Sequence, residues 1–225
     1  MDGIILIDKP SGWSSFDVIR KLRPVLGVKK MGHAGTLDPM ATGLLIVMLG
    51  STCKQQDNFM GLEKTYEAKV ELGFTSDTDD SEGNIIKTIQ QEDELSIPSK
   101  SQVDRALAAF VGDIEQTPPK HSAVKVEGKR AYARARAGED IKLNSRPVSV
   151  YDIYNIEYEY PNLHFSCRVS KGTYIRSLAR DIGAQIGAGG YLKALRRTKI
   201  GYYSVDDATS PDDSLQKLLD SVRAI

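Results

Sequence analysis

The apolar positions of this chain change their period repeatedly, and the changes mark its elements. GIILID, from Gly3 to Asp8, opens as a buried strand. Ser14 or Ser15 then caps a helix with Phe16, Ile19 and Leu22 among its apolar positions, and Pro24 and Gly27 end it. A solid apolar run from Leu44 to Val47 predicts another strand. From Thr65 to Leu72 the pattern alternates, with Tyr66, Ala68, Val70 and Leu72 on one face and Thr65, Glu67, Lys69 and Glu71 on the other. That is a half-buried strand with Tyr66 turned inward. TSDTDDSEGN reads as an acidic turn-rich loop before a short strand from Ile85 to Ile89.

The second half continues in the same mixed style. Ser99 begins a helix that carries Val103, Leu107 and Phe110 inward and stops at Gly112. TPPKHSAVKVEGKRAYARARAGED combines paired prolines with glycines and basic residues, and it reads as an excursion from the sheet with a short helix near 130–137. Strands at 148–160 and 163–169, joined at Pro161-Asn162, predict a hairpin whose core face holds Leu163, Phe165, Cys167 and Val169 and leaves His164 outside. From Tyr174 to Ile186 the stripe Ile175, Leu178, Ala179, Ile182 and Ile186 predicts a packed helix with Arg176 at the edge of its buried face, where it can line a cleft. Leu215, Leu218, Leu219 and Val222 form a stripe on a last short helix.

Composition narrows the class. The 225 residues, 40% of them hydrophobic, suit a globular enzyme. No stretch approaches the roughly 18 apolar residues of a membrane span and the N-terminus lacks a basic signal start, so a cytoplasmic protein is expected. Cys53 and Cys167 are too few for a disulfide framework, and with His33, His121 and His164 scattered no metal site is expected. The oxygen-rich DTDDSEG does not match the spacing of a calcium loop. Thirty basic and thirty acidic residues cancel, but their distribution is uneven. Lys120, Lys125, Lys129, Arg130, Arg134 and Arg136 face a single acid in their stretch, Glu127, and Lys193, Arg196, Arg197 and Lys199 form a second basic group. Two such patches on a neutral chain suit a polyanion held along one face, and either alone is ordinary surface.

The most informative stretch is GHAGTLDPMATGLL, Gly32 to Leu45. It sets Asp38 between a Gly-Thr turn, a proline and a small-residue run that leads into a strand, the form of a loop presenting an acid from a rigid base. Taken alone, the Asp-Pro pair reads more readily as a turn-forming residue before proline, and it is the surrounding segment that outweighs this.

Five blocks in order resemble the TruB-type tRNA pseudouridine-55 synthases: KPSGWSSFDVIRKLR, GHAGTLDPMATGLL, KTYEAKVELGFTSDTDDSEG, IEQTPPKHSAVKVEGKRAY, and SKGTYIRSLARDIG followed by LRRTKIG. The resemblance implies an α/β fold of the α+β type, a bent, largely antiparallel mixed sheet flanked by helices with a thumb-like insertion. It implies a catalytic domain over residues 1–205, with the thumb at about 117–140, and a short helix over 206–225 in place of the RNA-binding PUA domain of many bacterial members. On that division the T-arm of tRNA is the expected partner and a T-arm stem-loop nearly as good a substrate as whole tRNA. No cofactor and no protein partner are implied, and a monomer is expected.

The resemblance also assigns residues. Asp38 becomes the essential carboxylate and Arg176 its partner, which opposes the rise in pKa that burial imposes. Tyr66 becomes the residue that stacks on the flipped base, although on its strand position alone core packing is the favoured reading. Tyr174 and Leu195 line the uridine pocket. His33 stacks among the extruded nucleotides, against the alternative of a histidine bonded within its own loop. Lys9 supports the cleft wall or is a solvated lysine after a strand. Lys129 and Arg130, with the rest of the basic excursion, contact phosphates. An RNA-guided synthase and an RNA-binding folding factor without turnover are the alternative readings.

Overall fold

The structure, a computed structural model, describes residues 1–89, 97–122, 124–126, 128–139 and 141–224. In chain order its strands are β1 (Gly3–Lys9), β2 (Met31–Ala34), β3 (Thr42–Leu49), β4 (Lys64–Leu72), β5 (Phe74–Ser76), β6 (Ile85–Lys87), β7 (Gly112–Gln116), β8 (Lys125–Val126), β9 (Lys129–Arg130), β10 (Arg146–Glu159), β11 (Asn162–Val169), β12 (Gly190–Ile200) and β13 (Tyr203–Ser204). The α-helices are α1 (Ser15–Leu26), α2 (Gln56–Met60), α3 (Lys100–Ala109), α4 (Ala131–Arg136), α5 (Ile175–Ile186) and α6 (Leu215–Asp220). They form two compact units, Met1–Glu67 with Leu195–Ile225, and Ala68–Ala194, so that β4 and β12 each belong to both.

In the first unit β3 is the central strand. It pairs antiparallel with β1 and β2 and parallel with β12, through Arg196–Thr42 and Arg197–Gly43, which makes the sheet mixed. Residues 43–49 of β3 are all buried because apolar layers cover both faces. One layer sets Ile5, Ile7, Leu45 and Val47 against Val18, Ile19 and Leu22 of α1 and Leu218 of α6. The other sets Ile4, Leu6, Leu44 and Ile46 against Phe59 and Tyr203. Ser14 caps α1 through a reciprocal capping box with Asp17, and Gly27 closes it in the left-handed conformation. Two expectations fail here. Pro24 lies inside α1 and not at its end, and Phe16 is 57% exposed because the buried stripe runs through Val18, Ile19, Leu22 and Leu26. On α6 Leu215 is likewise exposed, and Val222 lies past the helix end while still packing on the first layer.

The second unit orders its strands β12–β4–β11–β10–β7, with α3 and α5 packed together. The alternation expected of β4 is present, with Tyr66, Ala68, Val70 and Leu72 buried. The β10–β11 hairpin carries Leu163, Phe165, Cys167 and Val169 inside; burial pushes the Cys167 thiol up to about 12, which leaves it an inert core residue. Phe110 is the C-cap of α3, so that helix ends before Gly112, which begins β7. β6 is shorter than expected and exposed, paired only with β5 in a small separate ribbon. Among the described residues no helix is long and apolar enough to cross a membrane.

Candidate active site

The Asp38 loop belongs to the first unit, and main-chain clamps hold it on both sides of the acid. Ser15 Oγ accepts from Leu37 N at 2.9 Å and donates to Leu37 O at 3.2 Å. Beyond the acid, Pro39 O accepts from Gly12 N at 2.8 Å and from Lys9 Nζ at 3.3 Å. The same ammonium donates to Pro10 O at 2.8 Å and Trp13 O at 2.6 Å. Lys9 is fully buried, so it is not a solvated lysine after a strand. A buried charge needs such partners, and three carbonyls supply them. The turn itself closes through the main chain, Ala41 N donating to Asp38 O at 3.1 Å, and the Asp38 side chain is half-buried.

Arg197 is a third clamp. Only 1% exposed, it donates from Nε to Leu44 O at 2.7 Å and from Nη2 to Gly35 O at 2.9 Å, bracketing the whole loop. Gly43 is what lets β12 come so close. Its φ is +101°, and a Cβ there would stand 2.3 Å from Arg197 O. Within the second basic group, expected to help hold a polyanion, Arg197 is instead internal and Arg196 is paired in a two-pronged bridge with Asp8 at 2.7 and 3.0 Å, while Lys193 and Lys199 are exposed.

His33 stands on β2 opposite Val47, in a strand and not in the loop expected for it. Its Nδ1 is buried without a hydrogen-bond partner among the described residues, and burial, then the Arg197 charge, lowers its pKa below the usual 6.5. Tyr66 and Leu195 are both 9% exposed, the first on β4 and the second on β12, where its carbonyl accepts from Thr42 Oγ1 at 3.5 Å.

Tyr174 and Arg176 lie at the start of α5, in the second unit. Tyr174 is the N-cap but contributes no side-chain cap. The buried amide of Gln116 instead grips its main chain, Nε2 donating to Tyr174 O at 3.1 Å while Oε1 accepts from Tyr174 N at 2.8 Å. Arg176 is 5% exposed, deeper than the edge position expected of it. The reason is a counter-charge that helical spacing cannot reveal. Arg176 Nη1 lies 3.2 Å from Asp80 Oδ2 and donates to Thr78 O at 3.3 Å, while Nη2 donates to His121 O at 3.1 Å. Asp80, itself buried, accepts from Thr78 Oγ1 at 2.6 Å and Glu82 N at 3.0 Å. Beside it Arg180 pairs with Asp79 at 2.8 Å and donates to Thr117 O, which Ser177 Oγ also holds.

Sequence reasoning thus missed Asp80, Gln116 and the bracing role of Arg197. In sequence this segment reads as an acidic turn-rich loop without calcium spacing, and its carboxylates go to arginines and main-chain donors. Among the described residues no group of three or more His, Cys, Asp and Glu is placed to hold a metal. The backbones of Lys129 and Arg130 form β9 against β8, while their side chains, like Glu127, lie outside what the structure describes.

Known proteins match this architecture along nearly its whole length. The family model for the N-terminal domain of TruB family pseudouridylate synthases covers residues 23–175, and that for the C-terminal domain of tRNA pseudouridylate synthase B covers 176–223. The tRNA pseudouridine synthase B of Leifsonia xyli is 48% identical over 90% of this chain and 68% of its own length. That of Chlamydia muridarum is 44% identical over 92% of this chain and 83% of its own. Among solved structures, a Cbf5–Nop10–Gar1 complex matches with TM-score 0.71 and 28% identity over 95% of this chain. An H/ACA ribonucleoprotein bound to a substrate RNA matches with TM-score 0.69 and 26% identity over the same share. The chain spans about half the length of the chains in those structures, 54% and 52%.

Proposed function

This chain belongs to the TruB family of pseudouridylate synthases, and we propose that it isomerises the T-loop uridine of tRNA, position 55, to pseudouridine. The observation that carries this reading is the bracing of the Asp38 loop by Lys9, Ser15 and Arg197, a costly construction for a merely solvated acid. Isomerisation breaks the N1–C1′ bond, turns the base and forms C5–C1′ with loss of the C5 proton, so the nucleotide must leave its stack. In this reading Asp38 is the nucleophile, and Arg176 is the cation that favours its anionic form. Tyr66 stacks on the flipped base and assists removal of the C5 proton, Tyr174 and Leu195 line the pocket, and His33 stacks among the extruded nucleotides. Lys129 and Arg130 contact phosphates from the thumb-like segment. No redox change occurs, so none of these steps calls for a cofactor. The T-arm is the partner, a monomer suffices, and the setting is the cytoplasm.

Tritium release from 5-labelled uridine in a tRNA transcript tests this. Asp38→Asn should bind the transcript with wild-type affinity and release no tritium. Turnover in that variant would remove Asp38 from the chemistry, and binding without release by the wild-type protein would favour a folding factor.

A further inference from the structure

Arg146, the first residue of β10, is a half-buried cation with no role in the scheme above. It pairs in register with Gln116, the residue that grips the Tyr174 main chain. Its guanidinium carbon lies 4.9 Å from the centroid of the Tyr174 ring, a cation–π stack. Nη2 donates to Gly172 O in the turn that leads into α5. Gly172 has a φ of +84°, the left-handed conformation that favours glycine, and so shapes the turn that presents this carbonyl. Tyr174 is therefore held twice, its main chain by Gln116 and its ring by Arg146.

The charge balance of Arg146 is unusual. Among the described residues no carboxylate lies within 4.0 Å of it, whereas Arg176 on the adjoining helix pairs with Asp80 and Arg180 with both Asp79 and Asp181. Its Nε is buried without a hydrogen-bond partner, and Nη1 makes no hydrogen bond among the described residues. A half-buried guanidinium in this state carries a desolvation cost that an arriving anion would relieve. A phosphodiester fits that requirement, since guanidinium forks match phosphate oxygens and a cation stacked on an aromatic ring is already oriented.

We propose that Arg146 is a substrate-binding residue that takes a backbone phosphate beside the flipped uridine and, through its stack, fixes the Tyr174 ring against the base. The inference rests on the tRNA reading above. It makes two separable claims, one about charge and one about shape. Arg146→Gln keeps length and loses the charge, whereas Arg146→Lys keeps the charge and loses the planar stack.

The test uses equilibrium binding of a T-arm stem-loop that already contains pseudouridine, so that no turnover intervenes, over a series of salt concentrations. One lost phosphate contact lowers the slope of log K against log salt by about 0.7 to 0.9. Arg146→Gln should show that drop and bind about tenfold more weakly at low salt. Arg146→Lys should keep the wild-type slope but lower kcat on the uridine stem-loop, a split that a merely structural residue would not produce. As a check independent of any variant's folding, the stem-loop should protect Arg146 of the wild-type protein from an arginine-specific dicarbonyl reagent, read by mass spectrometry. An unchanged slope in folded Arg146→Gln, or no protection of the wild type, overturns the proposal. Failure of the wild-type protein to bind or convert any stem-loop would instead overturn the tRNA reading itself.

Discussion

The segment that carries Asp38 and the segment that carries Arg176 are fixed by opposite chemistries. Around Asp38 the anchors are two buried cations and a hydroxyl bonded to main-chain atoms: Lys9 to Pro10, Trp13 and Pro39, Arg197 to Gly35 and Leu44, Ser15 to Leu37. Around Arg176 and Arg180 the anchors include carboxylates, Asp80 at 3.2 Å and Asp79 at 2.8 Å. Carbonyl oxygens do not titrate, so the first device keeps its geometry across the working pH range. Carboxylates do titrate, and they also compete for the arginines they orient. The loop of an acid is thus held through main-chain carbonyls, while an arginine is aimed by acids.

The most severe way to break this contrast is Asp80→Asn, which keeps shape and removes the carboxylate from a pair in which both side chains are nearly inaccessible. Deleting one partner of such a pair costs about 3 to 5 kcal/mol. A misplaced arginine should in addition slow turnover about a hundredfold. Urea midpoints and tritium release measure the two effects, and wild-type turnover in the variant would show that Asp80 does not aim Arg176. Lys9→Met is the matching test on the other side. It leaves Pro10, Trp13 and Pro39 carbonyls without their ammonium, and hydrogen bonds to charged groups are worth roughly 1.5 to 3 kcal/mol. We expect a loss of about 3 kcal/mol that is the same at pH 6 and pH 8. A strongly pH-dependent loss would mean that the loop leans on a titrating group after all.

These two residues also show what the sequence could and could not tell. Periodicity found β3, β4, the β10–β11 hairpin and α5, because a strand or helix buried on a defined face repeats its apolar residues at a fixed interval. It misplaced Phe16, where an aromatic residue at helical spacing suggested a core position that the packing does not use. The Asp38 loop stood out because its glycines and proline are local features. Asp80 did not, since its partner lies 96 residues away in sequence and nothing local marks a carboxylate as the one that turns inward. Lys9 read equally as solvated or structural until its three acceptors, supplied by turns of the main chain, were visible. Arg197 was misread for the same reason, because a cluster of basic letters does not show which side chain goes inside.

A gentler probe of the carboxylate device is its pH response. Burial raises the Asp79 carboxyl above its ordinary value of 3.8, and the neighbouring Arg180 charge opposes the rise without cancelling it. A folded carboxyl with a raised pKa holds its proton more tightly than the unfolded chain does. This group therefore favours the folded state fully below pH 3.8, and its contribution is lost as pH rises from there through the raised folded value. Asp79→Asn should abolish that dependence, so the stability of the variant relative to wild type should climb across the same window. A relative stability that fell with rising pH would mean that the Arg180 pairing outweighs desolvation.

The smallest expected effect sharpens the comparison from the other side, through the His33 ring on the strand that leads into the Asp38 loop. His33 is held below its usual pKa of 6.5, first by burial and second by the Arg197 charge. The geometry explains the direction: an imidazolium must donate from both nitrogens, and Nδ1 has no acceptor among the described residues. The unfolded chain takes up this proton more readily, so the contribution of His33 to stability is present above pH 6.5 and falls as pH drops through the lowered folded value. NMR titration of the ring carbons should give a midpoint below 6.5, with Arg197→Gln moving it part of the way back. If the midpoint sat at 6.5 or above, the ring would be solvated or paired with an acid, and the Asp38 loop would then share the titrating chemistry that distinguishes the Arg176 segment.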